Sequence, residues 1–95
     1  MHDAPPADRF AGTDPDPVPD GGILTVHYRD PGHASQSVEI KATDGADPTD
    51  TKTVSLALRG NGAGKALFIV PAGWESVVLT DDAGATRTVA VALPP

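Results

Sequence analysis

The sequence predicts an all-β fold: a small antiparallel, immunoglobulin-like β-sandwich of about six strands behind an extended N-terminal arm, with a small β-barrel as the alternative closure. Three observations predict it. Apolar and polar residues alternate with period two from residue 23 onward. Turn signals recur at intervals of roughly 10–14 residues, as in sandwiches. No window keeps the three-and-four spacing of an amphipathic helix. The Cys–Trp–Cys core of antibody domains is absent, because the chain has no cysteine, so the likeness is one of architecture.

The arm comprises residues 1–22 and the sandwich residues 23–95. Five of the ten prolines fall in the arm, at Pro5, Pro6, Pro15, Pro17 and Pro19. Each fixes its own φ near −65° and steers the preceding residue toward extended backbone, so Asp14-Pro15-Asp16-Pro17-Val18-Pro19 reads as polyproline-like chain. The only large apolar groups there are Met1, Phe10 and Val18. A segment so poor in apolar groups has little to bury on its own. A stiff arm also loses less entropy on docking than a Gly/Ser tail. The composition therefore predicts either a solvated leader or an arm held by a partner through Arg9, Val18 and Phe10, with Phe10 either inserting into that neighbour or folding back on the domain.

The strands follow in order. In Ile23–Arg29, Leu24, Val26 and Tyr28 share one face and Thr25, His27 and Arg29 the other; Asp30-Pro31-Gly32 turns the chain. Over 36–42, Val38 and Ile40 alternate with Ser37, Glu39 and Lys41. Residues 43–50 read as a long acidic loop with Gly45 and Pro48. Over 51–59, Val54, Leu56 and Leu58 point inward. The run Gly60-Asn61-Gly62-Ala63-Gly64 breaks that strand. Residues 65–70 are apolar on both faces, so this strand is expected to be central or to lie under a partner. Pro71-Ala72-Gly73 precedes a strand over 75–80. Asp81-Asp82-Ala83-Gly84 signals a hairpin, and Val89, Val91 and Leu93 share one face of the last strand.

Bulk composition limits the function. Without the arm roughly 70 residues remain, near the lower bound for an independent core, and no disulfide reinforces them. Such a domain gains stability from a partner or from homo-oligomer contacts. Net charge is −6, and the arm's five aspartates against Arg9 supply −4 of it. An acidic chain with scattered Lys and Arg repels phosphate backbones and anionic lipid, so neither nucleic acid nor membrane is an expected partner. The N-terminus shows no basic region followed by an apolar run, so no signal peptide is read and synthesis in a cytoplasm is expected.

No constellation for catalysis emerges. The segment Arg59-Gly60-Asn61-Gly62-Ala63-Gly64-Lys65-Ala66 departs from a phosphate loop, which needs Gly at the first position and Ser or Thr at the last. Its glycines suit positive φ in a strand connection. His27, Asp30 and His33 flank one turn and have donors that zinc accepts. Asp44, Asp47 and Asp50 form an acidic loop of the kind calcium favours. Neither set has the spacing of an established site, and solvated side chains account for both. No metal and no cofactor is expected. There is no nucleophile-elbow serine and no apolar pocket around a carboxylate, so the chain is read as non-enzymatic.

Trp74, in Pro71-Ala72-Gly73-Trp74-Glu75, has two readings. A large amphipathic ring at a strand connection can anchor a partner or stack on a sugar, or it can cap one end of an aliphatic core. The expected function is that of a structural protein of a large assembly. Its most concrete form is a bacteriophage capsid decoration protein on the virion surface, bridging subunits through the arm. The alternative is a carbohydrate-binding module using Trp74 and adjacent loops.

Overall fold

Alternation with period two is realised as two sheets packed face to face. The computed structural model describes residues 10–92, in eight strands. These are β1 Phe10–Asp14, β2 Val18–Pro19, β3 Ile23–Arg29, β4 Ser37–Asp44, β5 Asp47–Ala57, β6 Ala63–Ile69, β7 Ser76–Thr80 and β8 Thr86–Ala92. A three-stranded sheet has the order β1-β3-β6, and a five-stranded sheet the order β2-β8-β7-β4-β5. Each pairing is antiparallel except β2 with β8, which is parallel. This is the immunoglobulin-like arrangement, with the first strand divided between the sheets. β1 flanks β3, and β2 crosses to flank β8.

The inward residues are those that the alternation selects. Leu24, Val26 and Tyr28 of β3 meet Val38, Ile40 and Ala42 of β4, Val54 and Leu56 of β5, Val77 and Leu79 of β7, and Val89 and Val91 of β8. Three carboxylates are also buried, and each is satisfied. Asp81 accepts from Tyr28 Oη at 3.0 Å and from the Ala83 and Ala85 amides; Asp44 accepts from the Ala46 and Glu75 amides. Asp30 starts a short 3-10 turn over Pro31–His33 and accepts from the Gly32 amide. Such bonds offset the cost of removing these charges from water.

Three expectations are corrected here. The boundary at residue 22 does not divide arm from sandwich, because Phe10–Asp14 pairs within the three-stranded sheet and Val18–Pro19 within the five-stranded one. Phe10 is buried edge-to-face on Tyr28, with centroids 5.4 Å apart, and Val18 is fully buried. Two apolar side chains, each worth about 1.5–3 kcal/mol when buried, supplement a core that the remaining strands leave small. The acidic stretch over 43–50 is not a long loop. β4 and β5 continue through it and turn at Gly45-Ala46, with Asp44 opposite Asp47 and Thr43 opposite Thr51. Finally, β6 is an edge strand, not a central one.

One glycine in the run before β6 is fixed by space. Gly62 has φ +83°, and a Cβ there would sit 2.7 Å from Pro31 backbone atoms. Its carbonyl accepts from the Asp30 amide at 2.8 Å, tying the turn after β3 to the turn before β6.

Candidate interaction face

The residues singled out in the sequence as partner contacts lie mostly inside. Phe10, Val18 and Trp74 are each 2% exposed or less. Trp74 tilts against Phe68, with centroids 5.8 Å apart, and its Nε1–H donates to Asp50 Oδ2 at 2.8 Å. The ring thus fills the core-capping role, and its face is not available to a sugar or to a protein. Arg9 lies outside the described residues.

The polar clusters are dispersed into local structure. His33 Nδ1 lies 2.6 Å from Asp30 Oδ2, whereas His27 stands on β3 opposite Lys65 of β6. Of the three aspartates around the β4–β5 turn, Asp44 bonds backbone amides, Asp47 accepts from the Thr49 amide and hydroxyl, and Asp50 holds Trp74. Thr49 holds the exposed Asp47 carboxyl below its ordinary pKa, its hydroxyl bond first and its amide bond second. No group of three or more metal-ligating side chains converges among the described residues.

What the fold does expose is the outer face of the three-stranded sheet. Ile23 is 54% exposed, Leu67 65% and Ile69 68%. The β3–β6 register places Ile23 opposite Ile69 and Thr25 opposite Leu67, so the three form one apolar ladder. Further along the same two strands the ladder turns basic: His27 faces Lys65, and Arg29 faces Ala63. Beyond it lies a shallow groove of about 390 Å³, lined by His27, Ala57, Arg59, Asn61, Gly64 and Lys65 among others. Among the described residues no acidic one lines it. On a chain of net charge −6, this end of the small sheet is a local cationic patch.

The edge itself is open. The Val70 amide donates to Gly22 O, which sets the alternation. Phe68, Ala66 and Gly64 turn their backbone groups toward β3, and Lys65, Leu67 and Ile69 turn theirs outward. Among the described residues those outward groups meet no strand.

The apolar character of both faces of 65–70 was the sequence signal for this site, in the form that a partner covers the strand. The cationic groove gave no sequence signal, because Arg59 and Lys65 flank a turn and His27 belongs to another strand. Among the described residues, no helix is long and apolar enough to cross a membrane. Compared with protein-family models, curated proteins and solved structures, the chain matches none.

Proposed function

We propose that the protein is a non-enzymatic structural module of a larger assembly, and that it attaches through the outer face of the three-stranded sheet. The observation that carries this reading is the ladder of Ile23, Leu67 and Ile69, three large aliphatic side chains each more than half exposed on adjacent strands. Isolated surface aliphatics are ordinary, but a paired and contiguous set on an otherwise polar small domain marks a contact surface. Burying two such side chains, each already about one-third to one-half covered, supplies about 2–4 kcal/mol. That suits a module present in many copies, whose weak individual contacts add up over a large particle.

The most concrete setting remains a viral capsid surface, with the protein as a decoration subunit. The sandwich supplies a rigid body, and the apolar ladder supplies the contact in place of a free clasping arm. Gradient sedimentation of a lysate from producing cells, with the protein traced by antibody, tests this reading. We expect the protein to migrate with megadalton particles and the Leu67→Lys variant to remain near the top. Recovery of the unaltered protein only in the slow fraction would overturn the assembly reading. The carbohydrate alternative loses its support with the burial of Trp74.

A further inference from the structure

We propose that β6 accepts a strand from its partner, and that this strand is an extended segment with alternating aliphatic residues and an acidic C-terminal end. The inference rests on the reading of this face as a contact surface and specifies how the contact is made. Constant-type immunoglobulin sheets place a fourth strand beside the equivalent of β6. Here β5 ends at Ala57 and β6 begins at Ala63, so residues 58–62 are too few to form that strand. Among the described residues no strand pairs with the outer edge of β6, toward which the backbone groups of Lys65, Leu67 and Ile69 point.

The other three sheet edges are guarded. β1 has five residues and a register shift between Phe10 and Gly12, and β2 has two residues. β5 is long, but it carries Pro48, an exposed Lys52 and the polar side chains Thr51, Thr53 and Ser55 on its outer face. Short length, bulges, proline and lysine are the usual protections against unwanted strand pairing. β6 has one lysine, at its start, and then the exposed Leu67 and Ile69. Backbone hydrogen bonds give such strand addition its affinity, and side chains flanking the new strand give its specificity.

Charge selects the occupant and its direction. A strand antiparallel to β6 ends beside Lys65, at the groove formed with His27 and Arg59. Carboxylates at that end meet two fixed cations and no acidic neighbour in the groove lining. The aliphatic positions of the added strand extend the ladder of Leu67 and Ile69.

The test is an NMR titration of the full chain with the peptide Thr-Val-Thr-Ile-Thr-Asp-Glu, alongside a control carrying Lys-Lys in place of Asp-Glu. Binding of the acidic peptide is expected, with slowed amide exchange at Lys65, Leu67 and Ile69. Joint Arg59→Glu and Lys65→Glu substitution is expected to weaken it at least about tenfold, or 1.4 kcal/mol. Leu67→Pro removes an outward donor at a position where an edge strand tolerates proline, and binding should vanish. Leu67→Lys serves as a second variant that keeps the amide, with folding of both checked by circular dichroism. Equal binding of both peptides, protection at β5 instead of β6, or no binding at millimolar peptide overturns the proposal. Sedimentation equilibrium showing a dimer dissolved by Leu67→Pro assigns the edge to a second copy and likewise overturns it. If the folded Leu67→Pro protein still sediments with particles, strand addition fails while the assembly reading stands.

Discussion

Replacing Phe10 by alanine distinguishes a structural N-terminal strand from a docking arm. In the structure Phe10 is 2% exposed and packs edge-to-face on Tyr28 at 5.4 Å and 74°. Its carbonyl also accepts from Arg87 Nη2 at 2.9 Å, which holds the backbone in place when the ring is removed. A Phe→Ala change at a buried site costs about 3–5 kcal/mol, part of it the ring pair itself. Phe10 sits at the start of edge strand β1, where neighbours can partly collapse into the space, so we expect the lower half, about 3–4 kcal/mol. Total stability for a domain of this size is about 5–10 kcal/mol. The variant is therefore expected to remain folded at low temperature but to melt about 12–32 °C lower, at about 4–8 °C per kcal/mol near the midpoint. Urea unfolding followed by Trp74 fluorescence measures the free energy directly. A loss below about 0.5 kcal/mol, the size of a typical surface change, would refute the packing of Phe10 on Tyr28 and restore the free arm.

Two further outcomes follow from the polar groups. Asp50→Ala leaves the buried Trp74 Nε1–H without its acceptor and should cost about 1–3 kcal/mol, with a shift in Trp emission; unchanged emission and stability would mean that the bond at 2.8 Å does not form in solution. For Asp47, the folded-state pKa lies below the ordinary value because Thr49 bonds to the charged form. A depressed carboxylate contributes stability above its unfolded pKa, and that contribution is lost as pH falls through the folded value. Carbon-detected titration should give Asp47 a midpoint below that of an ordinary aspartate, and Thr49→Ala should move it upward; equal midpoints would remove the hydroxyl bond as the cause.

Strands from residue 23 onward were legible because antiparallel sheets with one wet face write alternation into the chain. Leu24, Val26 and Tyr28, or Val54, Leu56 and Leu58, could point only one way. The N-terminal strands were not legible. β2 is two residues long, follows Pro17 and ends in Pro19, which leaves no period to detect, and the bulge after Phe10 breaks alternation in β1. The acidic hairpin was hidden because its aspartates look like loop residues, although they serve as acceptors for the Glu75 amide and for Trp74. Trp74 could be placed at a strand connection but not assigned a side of it, since partner and core both favour a large ring. The apolar ladder was half visible: residues 65–70 showed two apolar faces, but their neighbour Ile23 and the edge position of β6 are products of topology.

The parallel pairing of β2 with β8 sets how the domain carries load. Val18 lies opposite Val91 and Pro19 opposite Ala92, while Phe10 pairs with Tyr28 at the far end of β3. The described chain therefore enters at one pole and leaves at the other. Tension applied through its two ends pulls β1 and β2 along their neighbours, so the bonds share the force in shear and do not unzip singly. Under such a load the N-terminal strands act as the mechanical clasp of the domain itself.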